Sequence, residues 1–437
     1  MSHLGPLWSQ TARDKKPPNI LFLMADDTGW NDVGYNGSEI RTPHIDGIAR
    51  DGVRLDQYYV YPTCSPSRVA LLSGRPPSRW GILGPIAGKR TQALPPDTTT
   101  LADVLSEGGY QTAITGKWHL GLLKEFGPWN YGFESTYGYL HGQIDQYTHR
   151  YKYGDITWHR EGEFVEEEGH ATDLITDEAV QFIESKRERN RPFFLYVPFS
   201  VPHFPLQEPE KYTGPYESSI PNESRRLFAA STTHMDDGIG KILNALESQG
   251  IEDDTIVIFS SDNGGQEKWS GAPDQYEGRH GPNDVLGDNR PLRAWKGHVY
   301  EGGIRVPAAI RWPGKLKPAA FTQPMMINDF FPTLATLVGL RAPGSVEGQD
   351  VWPAIASGDE LEDRPFYWRT GTQLALRYGR WKIVHHGPDL TEGQDELYDL
   401  VDDPHEQSDL AGSETGHLRR MRALLEAQAS ADHVTAR

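Results

Sequence analysis

Apolar residues in this chain gather into short unbroken runs that stop abruptly at polar side chains. Residues 19–27 (NILFLMADD), 112–115 (TAIT), 193–197 (FFLYV) and 255–259 (TIVIF) follow this pattern. A continuous apolar run of this length is how a strand covered on both faces of a parallel sheet reads. Between the runs, helical spacing predicts helices over 42–50, 98–107, 171–186, 226–247 and 328–338, with Gly108-Gly109 and Gly250 as stops. Residues 53–59 and 308–311 read as further strands. From about residue 345 the pattern changes to short alternating segments, 366–369, 374–378, 381–385 and 396–400, which predict an antiparallel sheet. A final helix is expected near 417–428. The expected fold is therefore α/β, a large mostly parallel sheet flanked by helices, with a smaller C-terminal antiparallel sheet subdomain. The corresponding division is a tail over 1–18, a catalytic domain over 19–344 and a C-terminal subdomain over 345–437. No internal repeat or low-complexity linker interrupts it.

Composition narrows the partners. The 437 residues are 37% hydrophobic and 24% charged, ordinary for a globular protein. Net charge is −18, from 61 acidic and 43 basic residues, which argues against nucleic acid or an anionic membrane as a partner. It also favours a small anionic substrate over a long polyanion, because the overall field repels the latter. No apolar run is long enough to cross a bilayer. The polar start of the chain carries no apolar signal region, so a cytoplasmic protein is expected, with a trimmed secreted or periplasmic chain as the alternative. A single cysteine excludes an internal disulfide and suits a reducing compartment.

That cysteine is the centre of the candidate chemistry. In Tyr61-Pro62-Thr63-Cys64-Ser65-Pro66-Ser67-Arg68, Ser65 suits a helix cap and Pro66 the first turn, with Gly74 as a left-handed stop. Cys64 then sits at a helix N-terminus with the Arg68 guanidinium free to reach back, a small anion site with a reactive atom at its lip. A lone cysteine is more often a small buried hydrophobe. A helix start and an arginine beside it favour function instead. A Cys-x5-Arg thiolate phosphatase is excluded, since position 70 is Ala70.

The ends of the four buried runs add to this. They terminate in Asp26 and Asp27, in Lys117 and His119, in His203, and in Asp262 and Asn263. Ligands of open α/β sheets collect at the carboxyl ends of strands. Asp26, Asp27, Asp262 and Asn263 offer only oxygen, which suits Ca²⁺ or Mg²⁺ and not zinc. Arg68, Lys117, His119, His203 and Lys296 offer donors for an anion. The expected site is a hard metal ion beside a tetrahedral oxyanion, with Cys64 between them. The aromatic stretch 137–159 is either a substrate-facing wall or a covering excursion, and 266–292 is a Gly-, Asp-, Arg- and Pro-rich excursion of the kind that lines sites.

At this point the chain resembles the type I, formylglycine-dependent sulfatases of the alkaline phosphatase superfamily. Cys64-Ser65-Pro66-Ser67-Arg68 matches their Cys-x-Pro-Ser-Arg signature. Asp26-Asp27, Gly116-Lys117-Trp118-His119, Asp262-Asn263-Gly264-Gly265 and Lys296-Gly297 follow in the family's order. The resemblance implies that a formylglycine-generating enzyme, reading Cys64, Pro66 and Arg68, oxidises Cys64 to an aldehyde that hydrates to a geminal diol. One hydroxyl attacks sulfur, and the second lets sulfate be expelled by collapse to the aldehyde. It further implies that Ca²⁺, or Mg²⁺, is held by Asp26, Asp27, Asp262, Asn263 and the modified residue 64. Asp262 would take the nucleophile's proton and His119 the proton during collapse. Arg68 and Lys117 would hold the modified residue and the metal-side oxygens, and His203 and Lys296 the sulfate oxygens. The segment 137–142 resembles the equivalent stretch of galactosamine-type sulfatases, with His141 as a further sulfate-side candidate. Relatives that cleave phosphodiesters or phosphonate monoesters with the same site are the alternative. A small sulfated aryl or carbohydrate ester is the expected substrate, and oligomeric state is not readable.

Overall fold

A computed structural model describes residues 17–88, 91–268, 272, 274–280 and 286–433. The predicted tail lies outside the described residues except for its last two positions. The centre of the molecule is a ten-stranded sheet. Its strands are β1 (Asn19–Ala25), β2 (Val53–Leu55), β3 (Gln111–Lys117), β4 (Ser135–Tyr139), β5 (Trp158–Arg160), β6 (Glu163–Phe164), β7 (Phe193–Pro198), β8 (Thr255–Ser261), β9 (Ala308–Arg311) and β10 (Ala319–Phe321). They lie in the order β10-β2-β9-β8-β1-β7-β3-β4-β5-β6. The inner five, β8-β1-β7-β3-β4, are all parallel. Antiparallel pairings of β8 with β9, β9 with β2, β4 with β5 and β5 with β6 make the flanks mixed.

The apolar runs explain this order. Every residue of β1 and β8 is buried. Ile20, Phe22 and Met24 enter one core and Leu21, Leu23 and Ala25 the other, so helices must cover both faces. On one face lie α1 (Pro43–Asp51), α4 (Ala171–Gln181) and the long α5 (Glu223–Ser248); on the other lie α2 (Cys64–Ser73), α3 (Leu101–Glu107) and α6 (Phe330–Leu337). Local sequence sets the ends of these helices. Thr100 and Asp103 form a reciprocal capping box at the start of α3, and Asn222 caps α5. All ten residues of α2 are buried, because it is wedged between the sheet and the α6 segment.

Two expectations are corrected here. The strand expected over 53–59 is two strands: β2 belongs to the main sheet, whereas Tyr58–Tyr59 pairs with Met325–Met326 in a separate ribbon. A turn at Asp56-Gln57 makes the break. The cap of α2 is Thr63, not Ser65. Ser65 lies inside the first turn and donates its hydroxyl to the His119 carbonyl at 2.9 Å. Gly74 does stop the helix, at φ +67°.

The C-terminal region holds four antiparallel strands, Phe366–Arg369, Gln373–Tyr378, Trp381–His386 and Gln394–Asp399. Helix α7 (Thr415–Ala429) covers one face of this sheet, with Met421 and Leu425 buried against it. The other face joins the main core through Phe366, Trp368, Ala375 and Val384. Polar contacts cross the seam as well. Trp368 donates to the Val60 carbonyl at 2.8 Å, and Lys382 reaches the buried pair Glu301 and Glu406. Among the described residues, no helix is long and apolar enough to cross a membrane.

Candidate active site

Strand register builds the site. Ala25 of β1 pairs with Ser261 of β8, so the next residues, Asp26 and Asp262, emerge side by side. The backbone continues the ladder briefly: Asp262 N donates to the Ala25 carbonyl at 3.1 Å, and Asp27 N to Asp262 Oδ1 at 3.3 Å. β7 and β3 end on the same edge, releasing the segment to His203 and the segment from Lys117 to His119. Gly116 is required at this edge. Its φ is +131°, and a Cβ there would stand 1.9 Å from the Pro198 carbonyl oxygen. Lys296 arrives from elsewhere, on a loop pinned by Gly297 N to the Pro62 carbonyl at 2.7 Å and by Lys296 N to the Gly265 carbonyl at 3.1 Å.

Asp27 and His119, neither of them glycine, have φ values of +77° and +61°. Left-handed backbone at such residues costs on the order of 1–3 kcal/mol and concentrates at functional sites. Both residues face the same cluster.

The charges there are interlocked and out of water. Arg68 donates from Nε and Nη2 to Asp262 Oδ2, at 3.0 and 2.8 Å, and from Nη1 to the Lys117 carbonyl at 2.8 Å. Lys117 Nζ lies 2.6 Å from Asp26 Oδ2. Lys296 Nζ lies 2.5 Å from Asp27 Oδ1, which also accepts from Asn263 Nδ2 at 2.7 Å. His203 Nε2 stands 3.8 Å from Asp27 Oδ2. Burial, opposed by Lys117 and reinforced by the neighbouring carboxylates, raises the Asp26 carboxyl to about 8. Burial also works against Asp27, but Lys296 and His203 hold it at about 2. Burial raises the Cys64 thiol despite Lys117 and Lys296. The same desolvation, with Lys117 and Arg68 nearby, pushes His119 well below the usual imidazole range.

Arg68 spends three of its five N–H groups on the protein. Each of its nitrogens contributes one, because a buried Asp262 requires a buried counter-charge. Arg68 is thus the clamp on Asp262, and two N–H groups remain for another acceptor.

A divalent cation fits the oxygen set. Asp26 Oδ1, Asp27 Oδ2 and Asn263 Oδ1 are buried without a hydrogen-bond partner. One ligand atom each from Asp26, Cys64 and Asp262 lie within 4.8 Å of one another, as do one each from Asp26, Asp27 and His203. Buried acceptors left without donors are rare unless something else satisfies them. Hard oxygen donors around a cysteine position suit Ca²⁺ or Mg²⁺.

Cys64, His119, His203 and Lys296 line a cavity of about 360 Å³, within the range of small-molecule sites. Its outer wall is Pro85, Ala87, Gly142, Gln143, Tyr151, Lys152, Gln266 and Gln275. Gln143, Tyr151, Lys152, Gln266 and Gln275 fall in the two irregular stretches singled out above. The loop at 85–87 carries no periodicity and no chemical motif, and sequence reasoning passed over it. Its role is plain in the structure: Ile86 N donates to Ser65 Oγ at 3.0 Å, and the Ile86 carbonyl lies 3.1 Å from His119 Nε2. His141 lines an adjoining cavity and not the one over Cys64, with its Nδ1 2.7 Å from Thr157 Oγ1.

Comparison with known proteins places these residues in context. A family profile described as Sulfatase matches residues 18–340, and one described as N-sulphoglucosamine sulphohydrolase, C-terminal, matches residues 294–430. N-acetylgalactosamine-6-sulfatase of Mus musculus is 34% identical over 90% of this chain and 77% of that protein. Arylsulfatase J of Mus musculus is 34% identical over 86% of this chain, which spans 65% of the length of that relative. The crystal structure of Ps i-CgsB in complex with k-i-k-neocarrahexaose matches with a TM-score of 0.85 and 30% identity, over 96% of this chain and 94% of that one.

Proposed function

Because the chain belongs to the sulfatase family, and is a sulfuric ester hydrolase by that membership, we propose that it hydrolyses a carbohydrate sulfate monoester in the cavity over residue 64. The observation that carries this reading is convergence: Cys64 opens onto one cavity with Lys296, His203 and His119, and Asp26 and Asp262 stand beside it. A sugar is favoured over a plain aryl group by the amide- and hydroxyl-bearing wall of Gln143, Tyr151, Gln266 and Gln275. The names of the relatives, an N-acetylgalactosamine-6-sulfatase and a protein crystallised with a neocarrahexaose, point the same way.

In this proposal Asp26, Asp27, Asp262 and Asn263 hold Ca²⁺ or Mg²⁺, which when bound supplies Lewis-acid polarisation of oxygen next to residue 64. Conversion of Cys64 to formylglycine supplies an aldehyde whose hydrate carries an oxygen nucleophile in place of a thiol. The protein's own groups do the rest. Arg68 fixes Asp262 by two charge-assisted bonds, so that Oδ1 keeps a set direction. Lys117 neutralises Asp26. Lys296 and His203 line the cavity and donate to sulfate oxygens, preorganised charge of the kind that dominates such catalysis. His119, held neutral by burial, is assigned its proton on Nε2 by the Ile86 carbonyl. Its Nδ1 is buried without a partner and can accept a proton from residue 64.

Maturation has a structural condition. Cys64, Pro66 and Arg68 are all buried in α2. A formylglycine-generating enzyme that reads these side chains must meet them before the segment folds.

The reading is tested by measuring sulfate release from sulfated mono- and disaccharides and an aryl sulfate, and phosphate release from an aryl phosphate. Turnover of one or more sulfated sugars above the aryl esters supports it. Turnover of the aryl phosphate alone would replace it with phosphoester chemistry.

A further inference from the structure

A second cavity of about 490 Å³ adjoins the one over Cys64, and Ala87, Tyr151, Lys152 and Gln275 line both. Their shared wall carries two groups with unmet needs. Gln275 is 7% exposed and its Oε1 has no hydrogen-bond partner. A buried acceptor without a donor is uncommon, and a ligand hydroxyl or amide would satisfy it. Lys152 is half-buried, and burial alone pulls its ammonium below the usual lysine range. Its ammonium stands 5.2 Å from the centre of the Tyr151 ring. Among the described residues no carboxylate pairs with it, and Asp155, which also lines the second cavity, makes no salt bridge to it.

Acidic residues outnumber basic ones in this chain, 61 to 43, and this half-buried ammonium still has no carboxylate partner among the described residues. The other cations around the cavity each have a carboxylate partner: Lys296 has Asp27, Lys117 has Asp26 and Arg68 has Asp262. A partly desolvated ammonium without a counter-charge is unfavourable until an anion arrives. Its place on the shared wall puts that anion beside the cavity over residue 64.

We propose that Lys152, with Gln275 and Tyr151, forms a second subsite that binds an acidic group on the sugar next to the sulfate ester. The substrate class is then an oligosaccharide carrying two anionic groups on adjacent sugars, the second being a sulfate or a uronate carboxylate. This rests on the sulfatase reading for the position of the first sulfate. It goes beyond that reading in assigning Lys152 a specificity role.

The test is equilibrium binding by calorimetry to C64A, which cannot turn over substrate. Three disaccharides share one sulfated sugar, and the neighbouring sugar is neutral, sulfated or a uronic acid. One charge-assisted contact corresponds to a preference of about tenfold to a hundredfold. C64A binds at least one acidic disaccharide that much more tightly than the neutral one, and the preference falls to near unity in C64A/K152M. C64A/K317M, which removes an exposed charge elsewhere, keeps it. The proposal is overturned by equal affinity for all three sugars, by no binding of any, or by a preference that survives K152M. Turnover of an aryl sulfate by the wild-type protein reads the sulfatase assignment separately. Its failure would remove that assignment and leave the binding preference to be judged alone.

Discussion

Arg68 and Asp262 form a two-pronged ion pair with both side chains at 0% exposure. The third guanidinium nitrogen holds the Lys117 carbonyl at 2.8 Å, so one arginine ties helix α2 to the ends of β3 and β8. Removing one member of a buried pair strands the other charge and costs about 3–5 kcal/mol. R68A is expected to lose stability of that order in urea denaturation. R68K is expected to lose activity as well, because an ammonium cannot reproduce the fork. A variant with wild-type stability and turnover would show that the clamp is dispensable.

Lys296 lines the cavity and is held by Asp27. K296M strands the buried Asp27 carboxylate, so it should keep the native circular dichroism spectrum but unfold at lower urea, and lose on the order of 10²–10³ in kcat/KM on a sulfate ester, the typical effect of deleting one preorganised donor. A loss below about threefold would remove Lys296 from the sulfate-binding set.

Metal content follows from the orphaned oxygens of Asp26, Asp27 and Asn263. Elemental analysis of the purified protein should find calcium or magnesium near one equivalent. D26A should lose it. Unchanged metal in D26A would break the proposed ligand set.

Stability should carry a pH signature at the seam between the two sheets. Lys382 lies 2.9 Å from Glu301 and 2.8 Å from Glu406, all three buried. Burial, opposed by Lys382 and reinforced by Glu301, raises the Glu406 carboxyl from 4.5 to about 7. Native Glu406 thus keeps its proton to higher pH than the unfolded chain does. The stability it contributes is full below 4.5 and is lost as pH rises to about 7. Glu301 has the opposite sign. Lys382, Arg305 and Arg377 outweigh burial and lower its carboxyl, so its contribution is lost as pH falls. The unfolding free energy of wild type minus that of E406Q should therefore decrease between about pH 5 and about pH 8. A difference that stays flat or grows would contradict the raised carboxyl.

The sequence disclosed the architecture where burial left a strong pattern. β1, β7 and β8 read as strands because their apolar residues serve two cores. Asp26, Lys117 and Asp262 stood out because such runs end abruptly at charge. Contacts between distant residues were not readable in that way. The Arg68–Asp262 clamp carries no sequence signal because its two members are 194 positions apart. Residues 53–59 read as one strand because Val53, Leu55, Tyr58 and Tyr59 all favour strands, and the turn at Asp56-Gln57 sends the two halves to different partners. Cavity walls were the least legible part. Lys152 and Gln275 sit in stretches without periodicity, where function depends on which loops meet, and His141 proved to line the adjoining cavity.

Sulfate release by C64A, compared with wild type on the best sulfated saccharide, measures the central claim most directly. The account predicts a folded C64A with no turnover, alongside a wild-type peptide whose residue 64 has exchanged sulfur for oxygen and lost two hydrogens. Activity in C64A within about tenfold of wild type would contradict it, since an essential nucleophile cannot be removed so cheaply.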